Sequence, residues 1–424
     1  MSHFGTTPQG LFRKITSRVV VNAPKWGQGQ ETEETRQQGG GPVSSYSRWT
    51  LLLVLGMLVG ACTGSTDEET LSQNGFMSDS SEVVARSTVV EQGADGYDIF
   101  RIPVLVRAPN GDLLLFCEGR VTGSDFGNID VLLFRSTDAG ATWSEGTVVA
   151  ENGSDTASDM AAVVQDGRVH LLFQKRPGDR TFSDYQNGDA ADARGYHMYS
   201  DDSGRTWSEP RDITNQVLPA SDEQLPMFGP NNGIVLDSGR LVVPMYYANQ
   251  SANDWTPSVI YSDDGGETWR RSVDAVPGVG VSETAVVQAA NGDVYGVARD
   301  GSRDENDQKR FFRSTDGGET WTEVGDVHPF VPEVSCQQSM VARGNRLFLA
   351  TPAQGSRRDG RLKTGTYEVG QPDNVQWEED DLQLTPDGFA YSTMALQDSL
   401  LHVVYEEKTP DQYAALQYVQ VRLD

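Results

Sequence analysis

Four copies of one eight-residue motif, S-x-D-x-G-x-T-W, constrain the fold of this chain more than any other feature of its sequence. The first residues of successive copies are 64, 62 and 52 positions apart. Repeats at this period are typical of a β-propeller, in which each blade is a four-stranded sheet. We therefore predict an all-β fold, a six-bladed β-propeller in which two blades have degenerate turns. The four copies are Ser136 to Trp143, Ser200 to Trp207, Ser262 to Trp269 and Ser314 to Trp321.

Each copy has the composition of a tight turn between two strands. The Ser and Asp side chains offer acceptors to backbone N–H groups, the Gly allows a positive φ, and Thr-Trp restarts a strand. The residues that precede the copies, such as 129–134 and 258–261, are rich in β-forming side chains. Each copy therefore predicts a connection between antiparallel strands, and its Asp is structural rather than catalytic.

The ends of the repeat region suggest how the ring closes. Residues 364–377 resemble an eroded copy of the motif that keeps only its final Trp. We expect the last strand, near residues 418–423, to pair with the segment around residues 83–90. This pairing would close the ring and remove exposed sheet edges.

The N-terminal region has a different composition from the repeats. An apolar run at residues 49–61 follows Arg48, ends in Val59-Gly-Ala-Cys62 and precedes a polar stretch. This resembles a bacterial lipoprotein signal, with Cys62 as the lipidated first residue of the mature chain. A cleaved secretory signal or a short anchor is the alternative. We predict a leader and signal at 1–61, a flexible polar tether at 62–82 and the propeller at 83–424. The protein would be exported and membrane-anchored, in the periplasm or at the cell surface.

The charge of the chain excludes one class of partner. The formal net charge is −27, of which the residues up to Ala61 contribute +3 and the remainder −30. Nucleic-acid binding needs a basic face for the phosphates, so we expect no nucleic-acid partner.

Cysteine and histidine usage excludes other kinds of site. Apart from Cys62, only Cys117 and Cys336 remain, so a disulfide scaffold is excluded, although these two could pair. The five His residues have no zinc-ligand spacing, and the Asp-rich residues 300–307 lack the EF-hand pattern. We therefore predict neither a metal nor a cofactor.

An ordered series of segments resembles one enzyme family. Phe100-Arg-Ile-Pro103 resembles the FRIP motif of the sialidases (neuraminidases), which also carry the S-x-D-x-G-x-T-W repeat as Asp boxes, or BNR repeats. The resemblance extends over nearly all of residues 84–424. Further segments similar to that family lie at residues 118–130, 229–234, 239–244, 282–284, 297–300, 335–339, 389–392 and 404–406.

The resemblance implies a set of catalytic residues. Tyr391 would be the nucleophile, because a neutral phenol avoids the repulsion that an anionic nucleophile would meet at a sugar whose anomeric carbon bears a carboxylate. A phenol needs a neighbouring base, and the resemblance implies Glu283 for that role. Asp125 would be the general acid and then the base, with Asp130 as the alternative.

The resemblance also implies three guanidinium groups that bind the substrate carboxylate, because Arg offers paired planar donors. Two of them would be Arg101 and Arg299. For the third we expect Arg358, with Arg357 and then Arg361 as alternatives. Glu406 would orient Arg101.

Together these features predict a monomeric, retaining exo-α-sialidase that hydrolyses terminal sialic acid, or a related nonulosonic acid, from glycoconjugates. Its partner would be a sialylated glycan. The alternatives are a noncatalytic glycan-binding propeller and a trans-sialidase. The resemblance implies that the Asp boxes lie at the end of the propeller opposite the active site.

Overall fold

The computed structural model describes residues 81–273, 281–300, 309–324, 334–354, 357–368 and 371–424, and these belong to one compact unit. The signal segment, Cys62 and almost all of the predicted tether lie outside the described residues, as do residues 301–307. Those expectations stay predictions. No helix in the described ranges has the length and apolar character needed to span a membrane.

Antiparallel strands dominate the described residues, and the helices among them are short. These are a 3₁₀ turn (Ala94–Gly96), α1 (Phe182–Asn187) and α2 (Thr214–Val217). The strands are β1 (Glu82–Glu91), β2 (Ile99–Arg107), β3 (Leu113–Arg120), β4 (Ile129–Ser136), β5 (Thr147–Ala150), β6 (Thr156–Gln165), β7 (Arg168–Arg176), β8 (Arg194–Ser200), β9 (Arg211–Asp212), β10 (Glu223–Phe228), β11 (Ile234–Val235), β12 (Leu241–Asn249), β13 (Asp254–Ser262), β14 (Arg270–Arg271), β15 (Val281–Gln288), β16 (Val294–Asp300), β17 (Arg310–Ser314), β18 (Thr322–Glu323), β19 (Ser339–Arg343), β20 (Arg346–Gln354), β21 (Arg358–Glu368), β22 (Gln371–Trp377), β23 (Leu382–Gly388), β24 (Ser392–Gln397), β25 (Leu400–Lys408) and β26 (Tyr413–Arg422).

The strands form successive meanders along the chain. The series β2 to β5 and β6 to β9 are two antiparallel meanders that a single parallel pair, Ile129 with Thr156, joins into one sheet. The next sheets contain β10 to β14, β15 to β18 and β19 to β23. The last sheet has the order β1-β26-β25-β24, so the first strand of the fold is the outer strand of the last meander.

The inner strands of the meanders form a closed ring, which is a propeller-like arrangement. Contacts run from β2 to β6, through β11 and β12 to β15, then to β19 and β24, and β24 returns to β2. Six of these strands, β2, β6, β11, β15, β19 and β24, also line a common cavity of about 400 Å³ at one end of the ring. The predicted closure is confirmed, because Glu82 to Glu91 pair antiparallel with Arg422 to Ala415.

The four repeat motifs are the turns between the third and fourth strands of their meanders, as the sequence predicts. In the first copy the Asp138 carboxylate accepts hydrogen bonds from the Thr142 hydroxyl at 2.6 Å and from the Thr142 N–H at 2.9 Å. The Ser136 hydroxyl accepts from Gly140 N at 2.8 Å. The other copies repeat these contacts. Residues 364–377 also connect antiparallel strands, and Trp377 is buried.

The glycine of the first repeat is fixed by its neighbour as well as by its backbone. Gly140 has φ +89°, and a Cβ atom there would lie 2.2 Å from Cζ of Tyr418 in the last meander. The Trp143 ring of the same turn also packs edge-on against Tyr418. The turn therefore serves as a packing surface between neighbouring meanders.

A pair of buried imidazoles lies where the second meander meets the third repeat turn. His170 Nδ1 and His197 Nε2 are 3.0 Å apart, and Arg211 Nη2 lies 3.3 Å from His197 Nδ1. Because a guanidinium only donates, His197 Nδ1 must accept, and His197 Nε2–H then donates to His170. Burial lowers the pKa of His170 to about 4 and the pKa of His197 to about 3. The pair is therefore neutral at neutral pH.

The two described cysteines are both buried and unpaired. Cys117 and Cys336 are free thiols in different apolar clusters. The possible disulfide between them is therefore absent, and the fold is stabilised by its apolar interior.

Candidate active site

A polar cavity of about 530 Å³ opens at the end of the ring opposite the repeat turns. The direction of the strands explains this placement. The repeat turns follow third strands, whereas the cavity collects residues from the starts of first strands and from the connections between second and third strands. Its lining consists of Arg101, Ile102, Glu118, Arg120, Asp125, Ser158, Asp159, Arg176, Phe182, Gln186, Met227, Tyr246, Asp254, Trp255, Ser282, Glu283, Arg299, Arg357, Tyr391 and Tyr413.

Local irregularities in the inner strands direct several of these side chains into the cavity. The pairing register of the strands is shifted next to Arg101 in β2, next to Ser158 in β6 and between Val281 and Thr284 in β15. Ile102 and Asp159 have φ values of 56° and 49°. Such bulges re-aim side chains, and left-handed backbone at a non-glycine residue is costly and clusters at functional sites.

Tyr391 lines the cavity just before β24 and is only 6% exposed. Its hydroxyl donates a short hydrogen bond to Glu283 Oε1. Burial, and then the Glu283 charge, raise the pKa of Tyr391 well above its usual value. At neutral pH Tyr391 is therefore a neutral phenol that already has a proton acceptor in contact.

Arg299 joins this pair to the opposite wall. Its Nη1 lies 2.9 Å from Glu283 Oε2 and 3.0 Å from the Tyr391 hydroxyl, and its Nη2 donates to the Ser335 hydroxyl. The Arg299 side chain is 23% exposed and lines the cavity. It thus remains accessible to a bound anion while it is paired with Glu283.

Arg101 is held from below by a fully buried carboxylate. Its Nε donates to Glu406 Oε1 at 2.7 Å, and the same oxygen accepts from the backbone N–H of Ile102. Burial by itself would lower the pKa of Arg101, but the Glu406 charge outweighs burial and raises it. The guanidinium stacks over the Tyr413 ring at 3.7 Å and lies 5.3 Å from the Tyr391 ring centre.

Arg357 also places its guanidinium near the Tyr391 ring, whereas the sequence favoured Arg358, with Arg357 as the alternative. Arg357 Nη1 donates to the Tyr413 hydroxyl at 2.8 Å, and the guanidinium lies 5.4 Å from the Tyr391 ring centre. Arg358 is exposed and does not line the cavity. Arg357 has φ 56°, so the chain turns there and the following residue enters β21 facing away. Arg361 pairs with Asp359 and Asp381 outside the cavity.

Asp125 lies at the cavity rim, on the connection between β3 and β4. Its side chain is 53% exposed and forms a short ion pair with Arg120. Burial alone would raise the pKa of Asp125, but the charges of Arg120 and Arg101 outweigh burial and lower it. The alternative residue, Asp130, lies outside the cavity lining, where it accepts from the Tyr97 hydroxyl at 2.7 Å.

Several cavity residues were not identified from the sequence, among them Glu118, Arg120 and Asp159. Glu118 and Arg120 lie on β3 two residues apart and therefore on the same face of the strand. Arg120 Nε donates to Glu118 Oε2 at 2.8 Å, and Glu118 Oε1 accepts from the backbone N–H of Asp159. Burial, and then the Glu118 charge, raise the pKa of Asp159 to about 7. The E-x-R spacing was a usable signal for the first two, whereas nothing in the sequence distinguishes Asp159.

Aromatic rings form the remaining wall of the cavity. Trp255 packs edge-on against Phe182 and Tyr246. Phe182 begins α1, whose first turn is fixed by a capping box between Thr181 and Asp184. The cavity therefore combines a charged side with an apolar side, as expected for a site that orients a polar ligand.

The cavity shows no arrangement suited to a metal. No cluster of three His, Cys, Asp or Glu side chains suited to a metal ion occurs within the described ranges.

Comparisons with known proteins concern the sequence and the fold of this chain. Residues 111–403 match the BNR repeat-like domain. The chain is 32% identical over 351 residues to a sialidase of Micromonospora viridifaciens, covering 76% of this chain and 52% of that protein. It is 30% identical over 298 residues to an exo-alpha-sialidase of Aspergillus fumigatus, covering 63% and 68%. The chain thus spans about half the length of the Micromonospora protein.

Solved structures of similar fold include a Hadza microbial sialidase, with a TM-score of 0.67, 23% identity, and coverage of 80% of this chain and 68% of that one. The intramolecular trans-sialidase from Ruminococcus gnavus has a TM-score of 0.66 at 19% identity, with coverage of 80% and 97%. At these identities the likeness concerns the fold.

Proposed function

The chain belongs to the sialidase family of glycoside hydrolases, and on that premise we propose that it is a retaining exo-α-sialidase that releases a terminal sialic acid, or a related nonulosonic acid, from glycans. The observation that carries the proposal is the Tyr391–Glu283 hydrogen bond with Arg101, Arg299 and Arg357 around it. A phenol paired with a base and faced by three cations suits a sugar that carries a carboxylate on its reacting carbon.

In the proposed first step the three guanidiniums bind the substrate carboxylate and bring the anomeric carbon to Tyr391. The phenol oxygen forms a bond to that carbon while its proton passes to Glu283. The glycosidic bond breaks, and the departing oxygen takes a proton from Asp125. The product of this step is a glycosyl–tyrosine intermediate and a free alcohol.

In the second step Asp125, now a carboxylate, removes a proton from water, and the water oxygen attacks the anomeric carbon. The bond to Tyr391 breaks, and Glu283 returns the proton to the phenol oxygen. Two displacements at one carbon give net retention. An acceptor sugar hydroxyl could replace water, which would make the protein a trans-sialidase, so products are to be measured with and without lactose.

The role of Asp125 implies a dependence on pH. Because Arg120 and Arg101 lower the pKa of Asp125, most of the free protein holds it ionised at neutral pH. The first step needs the protonated form, so acidic solution should favour substrates whose leaving group requires a proton.

The experiment that tests the proposal measures release of 4-methylumbelliferone from its α-sialoside. Tyr391→Phe should lower turnover by at least about 100-fold, because the nucleophile is lost. Tyr367→Phe is the matched control, since that buried hydroxyl has no hydrogen-bond partner among the described residues. An inactive wild-type protein would support the noncatalytic glycan-binding alternative, and wild-type turnover in Tyr391→Phe would refute the mechanism.

We also propose that the ring has six blades. The support is that β2, β6, β11, β15, β19 and β24 all line the same cavity. The two halves of the eight-stranded sheet would then be separate blades, since a single bridge pair joins them. We further propose that the protein is a monomer, which light scattering would test. A lipid on Cys62 would tether it to a membrane, and mass spectrometry of the mature N-terminus would test this.

A further inference from the structure

Arg176, at the end of β7, is a buried cation in the cavity wall with no role in the mechanism above. It is 2% exposed. Its guanidinium carbon lies 5.3 Å from the ring centre of Phe126 and 5.3 Å from that of Phe182, and these two rings pack on each other with their centres 5.0 Å apart. Burying a guanidinium is costly unless its donors are used, so its contacts should indicate its function.

The donors of Arg176 are directed to backbone carbonyls of two loops. Nη2 donates to the carbonyl oxygen of Asp125 at 2.7 Å, and Nη1 donates to that of Arg180 at 3.2 Å. Nε has no hydrogen-bond partner among the described residues. The guanidinium therefore ties the main chain at Asp125 to the loop that leads into α1.

The loop that carries Asp125 has little else to hold it at this point. Residues 121–125 are exposed, so apolar burial does not fix them. The nearest other anchors lie at Gly127, whose N–H donates to Gly178 O at 2.9 Å and whose carbonyl accepts from the Thr156 hydroxyl at 2.7 Å. Phe126, the residue after Asp125, packs on the Phe182 ring, and the hydrogen bond to the Asp125 carbonyl itself comes from Arg176.

We propose that Arg176 is a positioning residue that holds the main chain of Asp125 at the distance from the glycosidic oxygen that proton transfer requires. This inference rests on the proposed function. Arg120 holds the carboxylate of Asp125 by an ion pair, whereas Arg176 holds the backbone from the other side, so the two cations restrain different parts of one residue.

The expected signature is a loss that depends on the leaving group. Proton transfer to the leaving oxygen contributes about 10²- to 10⁴-fold, and a displacement of about 1 Å can cost about 100-fold. Loss of the Arg176 contacts should therefore lower kcat/KM by about 10- to 100-fold for sialyllactose, whose sugar alcohol needs protonation. An aryl sialoside such as the 4-nitrophenyl compound needs little protonation, and its kcat/KM should change by less than about 3-fold.

The test compares kcat/KM for both substrates in wild type, Asp125→Ala, Arg176→Met and Arg176→Lys, with thermal unfolding recorded for each. Arg168→Met is the matched control, because Arg168 begins the same strand and stacks on Tyr199 at 3.7 Å while pairing with Asp201, far from the cavity. Arg176→Lys keeps the charge but loses the planar donors, so it should show a smaller, equally selective loss.

The outcomes separate this inference from the proposed function. Selective loss on sialyllactose in Arg176→Met, in parallel with Asp125→Ala, supports it. If Asp125→Ala is selective but both Arg176 variants lose activity equally on the two substrates, or lose none, the positioning role is refuted while the enzyme assignment stands. An inactive wild-type protein would overturn both.

Discussion

Replacing each of two adjacent arginines separately by alanine tests most directly whether the cavity is assembled as described. Arg357→Ala removes a guanidinium that faces the Tyr391 ring and donates to the Tyr413 hydroxyl. Arg358→Ala removes an exposed side chain outside the cavity lining. The two substitutions are chemically identical and one residue apart, so each serves as the control for the other.

The magnitude follows from the contact that Arg357 would make with a substrate carboxylate. Hydrogen bonds to a charged group contribute about 1.5–3 kcal/mol, and about 1.4 kcal/mol corresponds to a tenfold change. Arg357→Ala should therefore lower kcat/KM for an aryl α-sialoside by about 10- to 150-fold. A surface substitution such as Arg358→Ala usually changes free energies by less than about 0.5 kcal/mol, or about 2-fold.

The assay is steady-state hydrolysis of 4-methylumbelliferyl α-sialoside, with thermal unfolding as the check on folding. Arg357→Lys should recover part of the loss, because it keeps the charge without the paired donors. The reasoning would be refuted if Arg358→Ala lost activity and Arg357→Ala did not, since the cavity would then be formed by the other side chain.

Three further predictions concern pH and packing. Because His170 and His197 have lowered pKa values in the fold, the unfolded chain binds protons more readily. The free energy of unfolding should then fall by up to about 3 kcal/mol per imidazole as the pH drops from about 6.5 to 4. Urea unfolding at several pH values measures this fall. His170→Phe should make the free energy of unfolding less dependent on pH. Gly140→Ala should destabilise the fold by about 1–3 kcal/mol more than Gly167→Ala. Both glycines have φ near +90°, but only a Cβ atom at Gly140 would clash with a ring, that of Tyr418. Equal melting temperatures of the two variants would contradict this. Arg120→Met removes a cation that lowers the pKa of Asp125. The decline of kcat/KM for sialyllactose with rising pH should therefore move to higher pH, and an unchanged pH profile would argue against the ion pair between Arg120 and Asp125.

The sequence was informative about residues whose neighbours along the chain form a recognisable pattern. The repeat turns were predicted as connections between antiparallel strands, because their Ser, Asp and Thr side chains bond within eight residues. Sequence motifs identified Tyr391, Glu283, Arg101 and Arg299, and the structure brings all four into one cavity.

The sequence was less informative where side-chain direction depends on backbone irregularity. In the run Arg357-Arg358 the motif was compatible with either residue, and the left-handed φ of Arg357 decides which one faces Tyr391. Asp159 was missed for the same reason, since a bulge in β6 and a φ of 49° direct it into the cavity.

The sequence alone determined the all-β fold, its repeat and the family, because these depend on local turn chemistry and on the order of motifs. The tertiary structure decided which charges meet. Glu283 and Tyr391 are 108 residues apart in the chain, and Arg101 and Glu406 are 305 apart. Contacts of this separation arise only when the meanders assemble into the ring, and burial in that ring determines their electrostatic effect. The same assembly places Arg176 against the backbone of Asp125, a relation that no local pattern of residues expresses.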